Sequence, residues 1–193
     1  MWRLIPLGTK IRRLPHDDHA YVLSVDELRR RVQVLGDRYF ILMEFALRPG
    51  VKLSGGERIY VGKGPRHEVS KFIRYLSYGE LSESSKILLR ETVEKIVAEG
   101  ESFFVEFFNE SVPLTPRLHQ LELLPGVGKR LMEKILEERA KKKFESYEDV
   151  KNRVGLKNPA ESICGRVMEE LTQDQPVYLF VAPKRLFERD RDF

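Results

Sequence analysis

Hydrophobic and polar positions follow two different periods along the 193-residue chain. From Ala20 to Lys63 the apolar residues form short runs rich in branched and aromatic side chains, with glycine in the connections between them. Four runs are predicted to be strands, namely AYVLSV, RVQVL, RYFILMEFAL and ERIYV, and Gly36-Asp37 is predicted at the tip of a hairpin. Short strands with glycine-containing turns predict a small barrel or a strongly curved sheet.

After Gly64-Pro65 the period becomes helical. We expect a helix over residues 67–76, in which Val69, Phe72, Ile73 and Leu76 have helical spacing. A second helix is expected over SESSKILLRETVEKIVAEG, with Ile87 and Leu88 on its apolar stripe and Gly100 at its end. A third is expected over SFFVEFF, where consecutive phenylalanines favour core packing over base stacking.

Four short helices in two pairs are predicted after the boundary Val112-Pro113-Leu114-Thr115-Pro116. The first begins with Thr115 as its cap and carries Leu118, Leu121 and Leu124, and the second continues with Leu131 and Ile135. The second pair is bounded by the start signal at Ser146, the glycine stop at Gly155 and the start signal at Asn158. PVYLFVAP predicts a strand that returns to the first half, and KRLFERDRDF is expected to fray.

Composition sets limits on the kind of partner. The chain has 34 Lys and Arg against 30 Asp and Glu, with a formal net charge of +4, which permits an anionic partner without establishing one. No apolar run approaches the roughly 20 residues that cross a bilayer, so we expect no membrane association. The single cysteine, Cys164, cannot form an internal disulfide; it is expected in the core, and a cytoplasmic location is predicted.

The segment Pro125-Gly126-Val127-Gly128-Lys129 joins two apolar, helix-patterned stretches. Glycine leaves no side chain over its amide, so N–H groups at Gly126 and Gly128 can point outward together at the start of the following helix. With the helix dipole and the side chains of Lys129 and Arg130, they predict a phosphate-binding corner. Val127 between them is expected to anchor the corner in the core. A plain helix–helix turn is the alternative.

Further cations are candidates for additional backbone contacts. Lys63 and Arg66 lie in GKGPR, which lacks the full phosphate-binding loop pattern and is equally well explained as a basic strand-to-helix connection. Basic clusters also occur at 12–13, 29–31 and 141–143, the last consisting of Lys141, Lys142 and Lys143. Each cluster by itself is more often a solvated surface than a binding site.

Two resemblances to known families extend this interpretation. LPGVGKRLMEKILEER resembles a helix-hairpin-helix motif, and FESYEDVKNRVGLKNP resembles the degenerate second copy of a double helix-hairpin-helix domain. Such domains bind nucleic-acid backbones without sequence preference. The resemblance assigns Gly126, Gly128 and Lys129 to a phosphate and Val127 to the core. In the second copy it matches only Gly155 and Lys157, with Val154 in place of the first glycine.

The whole chain, through IYVGKGPR and RLHQLELLPGVGK, also resembles an uncharacterised, mainly archaeal family expected to join an OB-like N-terminal region to this helical domain. The resemblance implies nucleic-acid binding, with RNA slightly favoured over DNA because of a translation context. The predicted fold is therefore α+β and multidomain. Residues 1–66 are expected to form an OB-like β-barrel, 67–112 a helical connector packed on it, 113–174 the all-α double helix-hairpin-helix domain, and 175–193 a returning strand and tail.

No catalytic centre, metal site or cofactor is predicted. The run His16-Asp17-Asp18-His19 has ligand chemistry, but four adjacent residues do not easily face one ion. His67 and His119 each stand alone on segments expected to be helical, and ERDRD at residues 188–192 resembles a nuclease's charged residues without a surrounding motif. A non-enzymatic nucleic-acid-binding protein is the leading hypothesis. A metal-dependent nucleic-acid-processing enzyme and a protein–protein adaptor remain alternatives.

Overall fold

A computed structural model describes residues 14–188 of the chain. Its contacts separate two compact units: residues 14–92 with 170–188, here called the sheet unit, and residues 93–169, here called the helical unit. The four-part division predicted from the sequence stays a prediction. None of the helices in residues 14–188 combines the length and apolar character that crossing a bilayer requires.

The sheet unit contains an antiparallel sheet of five strands that curls into a half-barrel. The strands are β1 (His19–Asp26), β2 (Arg31–Gly36), β3 (Leu42–Leu47), β4 (Arg58–Tyr60) and β5 (Val69–Tyr75), in the order β4-β1-β2-β3-β5. The first four confirm the predicted strands, and Gly36-Asp37 opens the β2–β3 connection as expected. A bulge between Val22 and Ser24, and two register shifts along β3–β5, bend the strands.

The helix predicted over residues 67–76 is wrong. Val69–Tyr75 is strand β5, which pairs with β3 and places Phe72 opposite Phe45. Its apolar residues have helical spacing, but most are β-branched or aromatic, and they lie beside a sheet edge that needs a partner. Pairing along that edge supplies hydrogen bonds that the local period cannot predict.

One face of the sheet holds the core of this unit. Alternate residues of neighbouring strands meet there, including Ala20 and Val22 of β1, Val32 and Val34 of β2, and Met43 and Phe45 of β3. The C-terminal part of the unit adds Ala182 and Phe187 to the same cluster.

Asp17 organises the loop between β2 and β3. Its carboxylate accepts the backbone N–H groups of Arg38 and Tyr39, both at 2.8 Å, and that of Ile41 at 3.4 Å. Asp17 is only 4% exposed, and a Cβ at Gly36 would overlap its carboxylate, 1.8 Å from Oδ2. The Asp17 side chain therefore occupies the space that glycine leaves and holds the β2–β3 loop in place.

Two helices follow the sheet. Helix α1 (Glu83–Glu99) ends just before Gly100, and α2 (Glu101–Glu110) follows it directly, both as predicted. The buried apolar residues of α1 include Leu89, Val93, Ile96 and Val97. Ile87 was expected on that face but is 67% exposed. In α2, Phe104, Phe107 and Phe108 are buried, in agreement with core packing.

The helix predicted from Thr115 onward is wrong. Strands β6 (Pro113–Thr115) and β7 (Leu118–His119) form a two-stranded hairpin, and a 3-10 helix covers only Gln120–Leu123. The Thr115 hydroxyl accepts the Arg117 N–H at 3.2 Å, so it closes a turn within the hairpin where a helix cap was expected. His119 was expected on a helix; it lies on β7, where its Nδ1 accepts the Leu121 N–H.

The remaining helices of the prediction are confirmed. They are α3 (Lys129–Lys141), α4 (Tyr147–Val154) and α5 (Pro159–Thr172). Ser146 caps α4 by accepting the Asp149 N–H, and Gly155 ends that helix with a positive φ of 85°. Ile163, Cys164 and Val167 of α5 are buried, so Cys164 is a core residue as expected.

The strand predicted over residues 176–183 is wrong. The residues from Tyr178 to Ala182 are buried, but three of their amides bind a side chain in place of a neighbouring strand. The Glu170 carboxylate accepts the N–H groups of Leu179, Phe180 and Val181 at 2.7–2.9 Å. Residues expected to fray then form the short helix α6 (Lys184–Glu188), with Phe187 buried. The rest of that expected tail lies outside the described residues.

We expect Asp17 to make the stability of the protein depend on pH. Burial raises the pKa of Asp17 to about 6, although three backbone N–H groups that bind the carboxylate lower it. The folded state then binds more protons than the unfolded state between pH 4 and 6, so the free energy of unfolding falls as pH rises across that interval, by roughly 3 kcal/mol at most. Asp17→Asn should remove this dependence in denaturant titrations at pH 4 to 7. Asp18→Asn is the control, and parallel curves for parent and Asp17→Asn would contradict the expectation.

Glu170→Ala should destabilise the protein by about 3 kcal/mol or more, since it leaves three buried amides without an acceptor. Denaturant unfolding measures the loss, and hydrogen exchange should show faster exchange at residues 179–181. Glu169→Ala, at the neighbouring and half-exposed position, is the matched control. Equal stability of the two variants would show that the carboxylate does not hold the segment.

Candidate functional site

The corner before α3 is built from three residues with opposite environments. Gly126 has a φ of 83°, a conformation that favours glycine. Val127 is 4% exposed and its N–H donates to the Leu124 carbonyl at 3.0 Å. Gly128 is extended, with φ −87° and ψ 177°, and is the N-cap residue of α3. The valine thus anchors the corner while both flanking glycines are exposed.

Contacts on the protein side hold this corner in place. A Cβ at Gly165, on α5, would lie 3.1 Å from Cγ of Pro125, so glycine there permits a close approach. Ser162 is one turn earlier on α5, and its Oγ lies 4.0 Å from the position of a Cβ at Gly126. Sequence reasoning missed both α5 residues. The one available signal was a glycine inside a helix, which often marks close packing.

Successive amides at the start of α3 are open. Among residues 14–188, the N–H groups of Gly128, Lys129 and Arg130 have no acceptor, and no side chain caps the helix. A Cβ at Gly128 would meet nothing within 4 Å. The Val127 N–H donates to the Leu124 carbonyl and is not available to an anion, so the amides of residues 128–130 can receive one. The Gly126 N–H likewise has no acceptor among residues 14–188.

The charges around these amides have one sign. The first turn of α3 contains no acidic residue, and the side chains of Lys129 and Arg130 are exposed. Neither forms an ion pair with another residue in the described range 14–188. Cations at a helix N-terminus oppose the dipole, typically at a cost of 0.3–1 kcal/mol each. An anion bound at the amides would offset this repulsion, because its negative charge attracts both the cations and the positive end of the helix dipole.

A second corner of related shape lies between α4 and α5. Gly155 has a φ of 85°, close to that of Gly126, and Leu156 is 5% exposed, close to Val127. In backbone conformation and burial, Gly155 and Leu156 resemble Gly126 and Val127, whereas Val154 is the last residue of α4. That Val154 stands in place of the first glycine of a second motif stays a prediction. Lys157 stands where the first corner has Gly128, and it is exposed.

The two corners differ at the helix that follows. Before α5, Asn158 Oδ1 accepts the Glu161 N–H at 3.1 Å, and Glu161 adds a negative charge to the first turn. The second helix start is thus capped and charge-compensated by its own side chains. Only the first corner combines open amides with uncompensated cations.

The lysines at 141–143 are paired with glutamates. Lys141 Nζ lies 2.6 Å from Glu138, and Lys142 Nζ lies 3.0 Å from Glu145. Lys143 Nζ lies 2.6 Å from Glu110, and this contact raises the pKa of Lys143. Exposed pairs of this kind are weak and screened by salt. This cluster presents compensated charge, in contrast with the corner before α3.

Lys63 and Arg66 lie in the connection between β4 and β5, so the expected strand-to-helix connection is wrong; it joins two strands. The Arg66 Nε donates to the Gly62 carbonyl at 2.7 Å, and its guanidinium lies 5.3 Å from the centroid of the Phe45 ring. Lys63 is exposed. His67 was expected on a helix but is an exposed residue of the same connection.

The other charged clusters of the sequence give no further candidate site among the described residues. In the cluster at 29–31, Arg29 pairs with Asp26 and Arg31 with Glu44. The cluster at 12–13 and residues 189–192 lie outside the described residues. From residue 14 to residue 188, no group of three or more His, Cys, Asp or Glu side chains is placed to hold a metal ion.

Comparisons with known proteins place the chain in a family. A family model described as "Protein of unknown function (DUF655)" matches residues 23–182. The uncharacterized protein MJ0038 of Methanocaldococcus jannaschii is 45% identical over 156 residues, which are 80% of this chain and 71% of that protein.

A solved structure supports the same family assignment. The crystal structure of Af1531 from Archaeoglobus fulgidus, a protein described as belonging to the same family, is 40% identical in sequence. The match covers 86% of this chain and 100% of that chain, with a TM-score of 0.76. Sequence and structure agree, and the chain belongs to the DUF655 family, which has archaeal members.

Proposed function

We propose that the protein binds nucleic acid, without acting as an enzyme, by holding the phosphate backbone at the corner before α3. The observation that carries the proposal is the start of that helix, where open amides at residues 128–130 adjoin two cations with no acidic partner. Helix N-termini of this kind bind phosphate through their N–H groups and dipole. A charge arrangement that is unfavourable in the free protein becomes favourable when an anion arrives.

In this proposal the corner is a helix-hairpin-helix motif, with the 3-10 helix Gln120–Leu123 and α3 as its two arms. The corner between α4 and α5 is its degenerate second copy, which packs through Leu156 and offers Lys157 as a further contact. The half-barrel is OB-like, with Lys63 and Arg66 as additional cations. Lys141, Lys142 and Lys143 contribute only if phosphate displaces their glutamate partners.

Recognition at this corner depends on charge and backbone geometry, since no base edge is contacted. Phosphate contacts position a protein on a strand without reading its sequence. We expect binding that tolerates sequence changes and weakens steeply with salt. RNA is favoured slightly over DNA, on the resemblance to a family with a translation context.

Titration of labelled single-stranded RNA, duplex RNA and DNA at several salt concentrations tests the substrate class. Absence of binding to all of them at low salt would favour a protein–protein adaptor. The same substrates incubated with Mg²⁺ or Mn²⁺ test catalysis. Cleavage that disappears in carboxylate variants would overturn the non-enzymatic part of the proposal.

Lys129→Ala should weaken binding to all sequences by a similar factor. The loss of one phosphate contact should reduce the salt slope, the change of log K with log salt, by about 0.9 on duplex DNA or about 0.7 on single strands. Lys134→Ala removes the same charge from an exposed position further along α3, and it should leave the slope unchanged. Identical slopes for Lys129→Ala and the parent would remove Lys129 from the site.

Gly128→Asn should weaken nucleic-acid binding while slightly stabilising the fold. The backbone at Gly128 suits any residue, and a side chain there has free space. Asparagine would cap α3 as Asn158 caps α5, gaining a few tenths of a kcal/mol and occupying amides that the phosphate needs. Affinity and the denaturant midpoint measure the two effects. Gly128→Asn with unchanged affinity would show that these amides do not contact the ligand.

A further inference from the structure

A small cavity lies in the sheet unit beside the β4–β5 connection. Its volume is about 170 Å³, and its lining includes the aromatic side chains of Phe45, Phe72 and Tyr75 together with Lys63 and Arg66. None of the residues at the corner before α3 lines it. Its size fits a single flat ring system better than a bulky ligand.

Aromatic rings form one wall of this cavity. Phe72 lies edge-on to Phe45, with centroids 5.6 Å apart, and is tilted against Tyr75 at 4.7 Å. Tyr75 is also stacked on Phe187 at 4.1 Å, which occupies one of its faces. Phe45 is 2% exposed, whereas Phe72 and Tyr75 are both partly buried. Because Phe187 covers one face of Tyr75, we take Phe72 as the ring on which a planar ligand stacks.

Cations stand beside this aromatic wall. The Arg66 guanidinium is oriented by its Nε bond to the Gly62 carbonyl and by the Phe45 ring. Its Nη groups have no hydrogen-bond partner among residues 14–188, and Lys63 is exposed and forms no ion pair within the same range. Asp17 also lines the cavity, and among residues 14–188 its Oδ2 accepts only the long 3.4 Å hydrogen bond from the Ile41 N–H. That oxygen can accept a further hydrogen bond.

We propose that this cavity holds one unstacked nucleobase of a single-stranded nucleic acid, stacked on Phe72, with Lys63 and Arg66 on the adjoining phosphate. Proteins hold single strands by combining an aromatic surface, on which bases stack, with neighbouring positive charges that bind the phosphates. Asp17 Oδ2 accepts a hydrogen bond from an amino or ring N–H group of the base. The inference rests on the proposed function for the class of ligand. It adds Phe72 and Asp17 to the two cations named there, and none of its residues lies at the corner before α3.

Phe72→Leu and Lys63→Ala test the cavity. Leucine preserves apolar packing but removes the flat ring, so affinity for single-stranded RNA should fall about tenfold, with little change on a blunt duplex, whose bases are paired. Lys63→Ala should lower the single-strand salt slope by about 0.7. Lys52→Ala, at another exposed position of the sheet unit, is the control. Thermal midpoints show whether each variant is folded.

The pattern of losses separates this inference from the proposed function. Gly128→Asn should weaken both single-strand and duplex binding, whereas the cavity variants should weaken single-strand binding alone. If the cavity variants lose single-strand affinity while Gly128→Asn binds like the parent, the result supports the cavity as a binding site and overturns the corner before α3 as one. Unchanged single-strand binding by Phe72→Leu and Lys63→Ala overturns the cavity, whatever Gly128→Asn does.

Two further arms identify the ligand. A single abasic nucleotide scanned along a short RNA should reduce affinity at one position, about as much as Phe72→Leu does. Phe72→Leu should bind the RNA that is abasic at this position only slightly more weakly than the parent protein binds it. A nucleoside monophosphate that binds as tightly as the strand would overturn the strand as the ligand and identify a free nucleotide instead.

Discussion

The burial of one valine between two exposed glycines is the constraint on which the candidate site depends. Val127 is fixed in the core, and its N–H is used within the corner. The positive φ at Gly126 and the extended backbone at Gly128 then direct the following amides outward. Pro125 adds rigidity by packing closely against Gly165. An anion at this place would meet donors that are already oriented, so little ordering cost would oppose binding.

The start of α3 lacks the side-chain cap and the acidic first turn that usually stabilise the beginning of a helix. Asn158 and Glu161 show how the same chain caps and compensates a helix when no ligand is required. At α3 the N-cap position is Gly128 and the position of Glu161 is taken by Leu131, while the first two helical residues are the cations Lys129 and Arg130. Local features that oppose stability, while the rest of the fold follows the rules, are typical of functional sites. The contrast within one chain is stronger support for a ligand than the presence of a helix N-terminus.

Buried carboxylates hold the backbone of the sheet unit in two places, and no local sequence pattern predicts either of them. Asp17 binds three amides of the β2–β3 loop, and Glu170 binds three amides of residues 179–181. Both replace the hydrogen bonds that a strand or helix would have supplied. This explains why an apolar run such as PVYLFVAP is buried without becoming a strand. Because Asp17 binds the β2–β3 loop in this way, its side chain also lines the cavity that Phe72 and Lys63 line.

By itself the sequence determined the four N-terminal strands, most of the helices and the position of the corner at residues 125–129, because these follow from local period, capping residues and glycine conformation. Tertiary structure decided the rest. Residues 69–75 became a strand because β3 had a free edge, and residues 113–119 became a hairpin although their leucines have helical spacing. Which lysines stay unpaired, which amides stay open and which rings surround a cavity depend on residues far apart in the chain, and a local pattern carries no information about such neighbours.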